Sequence, residues 1–188
     1  MMTPPIVPPS NWPVFVGYSS LLCNQGAAVA MFDHRLLAGD EAAPDDVRLA
    51  VDTARRADGV DPDRVVLWFF SGGGILSPAY LNAPPDWLRG MAFSYAVLDD
   101  DDPDWSPRAA LHPERPVPVL VTRVGQEVPG LVDGQQQFVD KATRLDLPLT
   151  VIDVPHGGHA FDAAEATAES RGAIREATQW VVKLLNAN

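Results

Sequence analysis

Short apolar runs alternate with longer amphipathic stretches from Pro13 to the end of the chain. Most of the apolar runs are continuous, which is typical of parallel strands that are covered on both faces. The runs with the length of a strand are residues 13–17, 27–32, 65–70, 90–97, 117–123 and 149–154. We therefore expect an α/β fold with about six mostly parallel strands and helices on both faces of the sheet.

The amphipathic stretches predict helices between and after these strands. They cover residues 44–57, the segment that follows Ser71, residues 131–145 and residues 163–185. Asp45 and Asp46 open the first of them, where the positive end of the helix dipole favours acidic side chains. Every predicted strand from residue 65 onward is thus followed by a helix or a long connection, as a parallel sheet requires.

Length and composition indicate one globular domain. The chain has 188 residues, of which 46% are apolar and 21% charged, so we expect a single domain over residues 1–188 with a proline-rich arm at residues 1–12. The formal charge of −11 argues against nucleic acid and anionic membranes as partners. Cys23 is the only cysteine, and neither a signal-peptide pattern nor a membrane-length apolar run is visible, so a cytoplasmic location is expected. Whether the chain is a monomer or a homodimer stays open.

The most informative segment is a strand that runs straight into Ser71-Gly72-Gly73-Gly74 and then a helix. A sharp strand-to-helix turn exposes a serine hydroxyl at the carboxyl end of a sheet and needs small neighbours, which Gly72 and Gly73 are expected to supply, so that strand and helix can approach closely. The amide of Gly72 would point at the site, where it can bind an oxyanion. Phe69 departs from the Gly-x-Ser-x-Gly pattern, because it occupies the first small position. The segment predicts Ser71 as a nucleophile.

A base for this serine is predicted on the loop after the last strand, His156-Gly157-Gly158-His159. A serine hydroxyl needs a histidine to accept its proton, and the histidine needs a carboxylate to orient it. His159 is preferred, because Gly158 frees its loop and Phe161 can anchor the loop in the core. A metal site formed by His156, His159 and Asp162 is disfavoured, since nothing else completes a coordination shell; we expect neither metal nor cofactor.

The orienting acid is expected after the preceding strand. Glu127 follows residues 117–123 in a turn near the carboxyl edge of the sheet, and Asp133 is close enough in sequence to compete with it. The chain order serine, acid, histidine is that of α/β hydrolases rather than of the other well-known serine protease folds.

These segments resemble the dienelactone hydrolase-like branch of the α/β-hydrolase superfamily, which includes small carboxylesterases. The matching motifs are Asp61-Pro62-Asp63-Arg64 before the turn, Arg123-Val124-Gly125, Pro129-Gly130-Leu131 and Gly158-His159-Ala160-Phe161-Asp162. The resemblance covers most of the chain and implies a trimmed α/β-hydrolase fold whose first strand, residues 13–17, corresponds to the third strand of the superfamily. Dienelactone hydrolases proper use a cysteine nucleophile, so a serine at position 71 looks more like a carboxylesterase.

By position in that resemblance, the amide of Tyr18 would be the second oxyanion donor. Apolar walls of a small pocket would come from Phe70, Tyr80, Trp105 and Phe161. The expected function is a serine hydrolase that cleaves small carboxylic esters or lactones through an acyl-enzyme. The alternative is a non-catalytic binding module that kept the scaffold.

Overall fold

We describe a computed structural model of the chain over residues 9–38 and 41–187. The predicted arm at residues 1–12 lies largely outside the described residues. The chain divides into two compact units. The smaller unit ends at Val60, and the larger unit begins at Asp61. None of the described helices combines the length and hydropathy that crossing a membrane requires.

The larger unit, residues 61–188, is built on one parallel sheet. Its strands are β1 (Val65–Phe70), β2 (Leu88–Ser94), β3 (Val119–Gln126) and β4 (Leu149–Gly158), and they pair in the order β1-β2-β3-β4. All three pairings are parallel, so the carboxyl ends of the strands share one edge of the sheet. These strands confirm the α/β class that the continuous apolar runs predict.

Helices cover both faces of this sheet. The helices of this unit are α3 (Pro78–Asn82), α4 (Pro107–Ala110), α5 (Pro129–Arg144), α6 (Phe161–Ala164) and α7 (Ala168–Leu185), and the two long ones, α5 and α7, pack on opposite faces. Ala173 and Ala177 of α7 pack on one face against a cluster that includes Ala92 and Leu120. Phe138 of α5 packs on the other face, with its ring 5.8 Å from that of Phe93. Burial on both faces explains why most residues of these strands are apolar, and why β1 is apolar at every position.

Two of the predicted helices are broken by local chemistry. The segment that begins at Ser71 is a 3-10 helix, Ser71–Leu76, and it is followed by the short helix α3. Three glycines disfavour an α-helix here, and Pro78 cannot donate a backbone hydrogen bond. The predicted final helix is split into α6 and α7. Thr167 caps α7 by accepting a hydrogen bond from the Ser170 amide at 3.0 Å.

Two strand predictions in the smaller unit, residues 1–60, are wrong. Residues 13–17 lie within the helix α1 (Pro13–Cys23), and residues 27–32 form no regular structure. The described residues therefore contain four strands rather than about six. Pro13 favours the first turn of a helix. The hydroxyls of Ser19 and Ser20 each donate a hydrogen bond to the backbone carbonyl four residues earlier in the helix. Apolar content alone does not distinguish a short strand from a helix turn.

The second helix of this unit, α2 (Ala43–Arg55), lies close to the predicted residues 44–57. Val47 and Val51 form its buried stripe, whereas Leu49 is exposed. Asp46 in its first turn accepts hydrogen bonds from the Arg35 guanidinium at 2.8 Å and from the Arg35 amide at 2.9 Å. These bonds hold the pKa of Asp46 below its ordinary value.

Candidate active site

Ser71 follows the last residue of β1 and has a left-handed backbone, with φ of 49°. This conformation is strained for a residue with a side chain and persists only where the surroundings hold it. The Ser71 carbonyl accepts a hydrogen bond from the Val97 amide at 2.9 Å, which fastens the turn to the segment after β2. The serine is therefore presented at the carboxyl edge of the sheet on a sharp turn.

The glycines after Ser71 differ in what they permit. A Cβ on Gly74 would lie 2.1 Å from the Val97 carbonyl oxygen, so a close backbone contact requires glycine there. A Cβ on Gly72 or Gly73 would meet no described atom within 4 Å. The expectation that Gly72 and Gly73 serve close packing is thus wrong, because Gly74 makes the tight contact.

Phe69 is accommodated because its side chain points away from the turn. Its ring stacks on that of Phe93 in the neighbouring strand, with centroids 5.7 Å apart, and the residue is buried. The Phe93 ring in turn contacts Phe138 of α5. The bulky residue at the first small position of the motif therefore joins the core on the α5 face.

Ser71, His159 and Glu127 form a continuous hydrogen-bonded chain. Ser71 Oγ lies 2.8 Å from His159 Nε2, and His159 Nδ1 lies 2.7 Å from Glu127 Oε1. The Glu127 side chain is 1% exposed, whereas that of His159 is 27% exposed. The tautomer with its hydrogen on Nδ1 donates to Glu127 and leaves Nε2 to accept from the Ser71 hydroxyl.

Strand register brings the acid and the histidine together. Gln126 at the end of β3 pairs with Gly158 at the end of β4, and Glu127 and His159 are the next residues. Between Val124 and Gln126 the register shifts, so that β4 carries extra residues. A Cβ on Gly125 would lie 2.0 Å from the Pro155 carbonyl oxygen. Glycine at this position therefore lets the two strand ends approach closely.

Glu127 receives two further hydrogen bonds. The Val128 amide donates to Oε1 at 2.8 Å, and the side chain of Gln135 donates to Oε2 at 3.1 Å. Asp133, the competing acid, lies exposed on α5. Sequence reasoning missed Gln135, and its place three residues before the buried Phe138 on the same helix was the available signal.

The loop that carries His159 is held on both sides. Glu165 accepts a hydrogen bond from the Gly158 amide at 2.8 Å. Tyr95 packs edge-on against the His159 ring, with centroids 5.0 Å apart, and its hydroxyl donates to the Asp162 carboxylate at 2.8 Å. Burial raises the pKa of Tyr95 far above its ordinary value, and the Asp162 carboxylate raises it further. Sequence reasoning missed Tyr95.

The predicted oxyanion donors have different surroundings. Gly72 directly follows Ser71 and is partly exposed. Tyr18 lies inside α1, and beyond its first turn a helix uses each amide to bond the carbonyl four residues earlier. Its amide is therefore engaged within a helix, and the predicted donor role of Tyr18 is wrong.

The four residues that were predicted to line a pocket differ in burial and in the direction of their side chains. Phe70 and Trp105 are partly buried. Phe161 is 1% exposed and belongs to the core beneath the histidine loop. Tyr80 packs on Trp87, whose carbonyl bonds the first residue of β1, so Tyr80 points to the amino edge of the sheet. Burial and direction thus assign Phe161 and Tyr80 to packing rather than to a pocket wall.

The two histidines of the last loop have different partners. His156 is 85% exposed and lies 3.3 Å from Glu169, whereas His159 faces Glu127. No group of three potential metal ligands occurs among the residues that the structure describes. His156, His159 and Asp162 therefore do not converge.

Comparison with known proteins agrees with this architecture. The chain is similar to carboxyl esterase 2 from Tuber melanosporum, with a TM-score of 0.74 and 16% identity over 92% of this chain and 73% of that one. For esterase B from Lactobacillus rhamnosis the TM-score is 0.73 and the identity 15%, over 89% of this chain and 69% of that one. For MGS-M1, an α/β-hydrolase enzyme from a deep-sea metagenome library, the TM-score is 0.57 and the identity 15%, over 78% of this chain and 66% of that one.

The chain has the α/β-hydrolase fold. Among named relatives, it is 36% identical over 80 residues to NocK of Nocardia uniformis subsp. tsuyamanensis, which carries the name of an esterase. That match covers 43% of this chain and 22% of NocK, so the chain spans only a small part of this relative. No family model matches the sequence. In an α/β-hydrolase fold, the carboxyl edge of the sheet is the position at which a nucleophile is expected.

Proposed function

We propose that this protein is a serine hydrolase that cleaves small carboxylic esters or lactones through an acyl-enzyme. The observation that carries the proposal is the chain of two short hydrogen bonds from Ser71 through His159 to Glu127. A hydroxyl, an imidazole and a buried carboxylate in this order form the constellation that activates serine nucleophiles. The left-handed Ser71 at the end of β1 gives the same indication.

In the proposed reaction, Ser71 Oγ attacks the carbonyl carbon of the ester while its proton moves to His159 Nε2. The carbonyl π electrons move onto oxygen, and the Gly72 amide stabilises this oxyanion. As the tetrahedral intermediate collapses, the bond to the alkoxy oxygen breaks, and His159 returns the proton to the departing alcohol. Water then attacks the acyl-enzyme by the same route and releases the acid and free Ser71. Glu127 orients the imidazole and stabilises its charged form.

The comparisons support an ester substrate. Carboxyl esterase 2 and esterase B are both named for ester hydrolysis, and the structure of esterase B is described with a tributyrin phosphonate. A butyryl ester is therefore the first substrate to test, and an acetyl ester is the shorter member of the same series. The chain's formal charge of −11 also favours neutral over anionic esters.

Labelling with a fluorophosphonate tests the proposal directly. The reagent forms a covalent adduct with an activated serine, so intact-mass analysis should show one adduct on the wild-type protein and none on Ser71→Ala. A series of p-nitrophenyl esters should show faster hydrolysis of acetyl and butyryl esters than of long-chain esters. A folded wild-type protein that forms no adduct and hydrolyses no ester would contradict the proposal.

A non-catalytic binding module is the second candidate. Two observations favour it: Phe69 replaces the small residue of the usual turn, and the Tyr18 amide lies within a helix. Such a module would fold normally, remain unlabelled and bind small esters without turnover. Calorimetry with a non-hydrolysed ester or its amide analogue, run beside the labelling experiment, separates the two candidates.

A further inference from the structure

One buried polar side chain, that of Gln135, lies beside the candidate site but is not a member of the hydrogen-bonded chain from Ser71 to Glu127. Gln135 is 3% exposed, whereas the neighbouring Gln136 and Gln137 on the same helix are exposed. Burying an amide group is unfavourable unless it is hydrogen-bonded. The position therefore demands partners for the Gln135 side chain.

Both partners of Gln135 are oxygen atoms. Its Nε2 donates to Glu127 Oε2 and to the Ala96 carbonyl, each at 3.1 Å. An amide nitrogen carries two hydrogens, so it can serve both acceptors at once. The flipped amide would bring its oxygen against a carboxylate and a carbonyl, which is unfavourable. The two acceptors therefore determine the orientation of the side chain.

The two oxygens of the Glu127 carboxylate have different hydrogen-bond donors. Oε1 accepts from His159 Nδ1 and from the Val128 amide, and Oε2 accepts from Gln135. A glutamate has one more rotatable bond than an aspartate, so it needs more restraint to present one oxygen to the imidazole. Gln135 supplies this restraint from α5, and its second hydrogen bond, to the Ala96 carbonyl, fixes its own side chain to the segment after β2.

We propose that Gln135 is a positioning residue, which holds Glu127 so that its Oε1 faces His159. The inference rests on the proposed function, because it assigns Gln135 a part in the same reaction. A lost hydrogen bond to a charged group corresponds to about a 10- to 100-fold change in an equilibrium or rate. Gln135→Met, which retains the length of the side chain but removes its donors, should lower kcat by about this factor and leave KM nearly unchanged.

The test uses a double-mutant cycle with a matched control. Gln137→Met makes the same substitution at an exposed position of the same helix and should retain wild-type kcat. If Gln135 acts through the Glu127 carboxylate, the effect of Gln135→Met should vanish in a Glu127→Gln background. An equal loss in both backgrounds, or no loss in the single variant, would overturn the inference, because either result separates Gln135 from Glu127.

Two further measurements keep the outcomes distinct. Thermal unfolding checks that each variant is folded. If Gln135→Met does not fold, Gln135→Glu retains the shape of the side chain, replaces the donors with acceptors and should also lower kcat. If neither variant folds, Gln135 is required for structure and the proposal fails. If wild-type protein forms no fluorophosphonate adduct and hydrolyses no ester, the proposed function fails; if it reacts but Gln135→Met behaves like wild type, only the inference about Gln135 fails.

Discussion

Gln126 pairs with Gly158 across the ends of β3 and β4, and the next residue on each strand contributes a side chain to the hydrogen bond between Glu127 and His159. The acid and the histidine are 32 residues apart in sequence. Their meeting depends on the register of two parallel strands and on the extra residues that β4 carries before Gly158. The geometry of the candidate site is thus linked to the pairing of the sheet.

Replacing Gly125 should disturb this pairing. Gly125→Ala would place a Cβ 2.0 Å from the Pro155 carbonyl oxygen, so the strand ends must separate. We expect a loss of about 1–3 kcal/mol in the free energy of unfolding and a lower kcat for ester hydrolysis. Denaturant unfolding and steady-state kinetics measure the two effects. Gly130→Ala, whose Cβ meets no described atom within 4 Å, is the control and should retain stability and activity.

Two substitutions test the assignment of the acid. Glu127→Gln removes the charge that faces His159 Nδ1 and should reduce kcat by up to about 10⁴-fold, the effect of the corresponding change in a serine protease triad. Asp133→Asn alters an exposed carboxylate and should leave kcat within about twofold of wild type. Steady-state kinetics with p-nitrophenyl acetate compares them. A larger loss in Asp133→Asn than in Glu127→Gln would reverse the assignment.

The glycines of the turn should differ in their tolerance of a methyl group. Gly74→Ala forces a Cβ within 2.1 Å of the Val97 carbonyl oxygen and should lower the free energy of unfolding by about 1–3 kcal/mol. Gly73→Ala points into open space and should change it by less than about 0.5 kcal/mol. Denaturant unfolding of both variants checks the difference. Equal destabilisation would show that the turn does not pack on the segment after β2 as described.

Tyr95 should make the fold sensitive to alkaline pH. Burial and the Asp162 carboxylate raise its pKa in the folded state, so the folded protein keeps this proton when an unfolded tyrosine, with a pKa of about 10, loses it. The unfolded state then binds fewer protons, and the contribution of Tyr95 to stability falls above pH 10 by about 1.4 kcal/mol per pH unit.

Tyr95→Phe isolates this contribution. At pH 7 the variant should be less stable than wild type, because the buried hydroxyl no longer donates to Asp162. The difference in the free energy of unfolding between wild type and variant should become smaller as the pH rises above about 10, because only the wild type contains the Tyr95 hydroxyl whose contribution to stability is lost. Denaturant unfolding between pH 7 and 11 measures it. A difference that stays constant over this range would contradict the raised pKa of Tyr95.

Local patterns predicted the four strands of the larger unit and the chain positions of Ser71, Glu127 and His159. Continuous apolar runs report burial on both faces, and each of the three residues follows one of these strands. Parallel strands place their carboxyl ends at one edge, so the sequence also indicated that these side chains approach each other.

The sequence by itself therefore determined the α/β class and the set of chemical groups at the sheet edge. Tertiary structure decided that residues 13–17 belong to a helix and that Gly74 rather than Gly72 makes the tight contact. It also decided that Gln135 donates a hydrogen bond to Glu127 and Tyr95 donates one to Asp162. The reason is physical. Apolar periodicity reports which face of an element is buried, whereas a hydrogen bond between Tyr95 and Asp162, 67 residues apart, depends on register and packing that no local pattern contains.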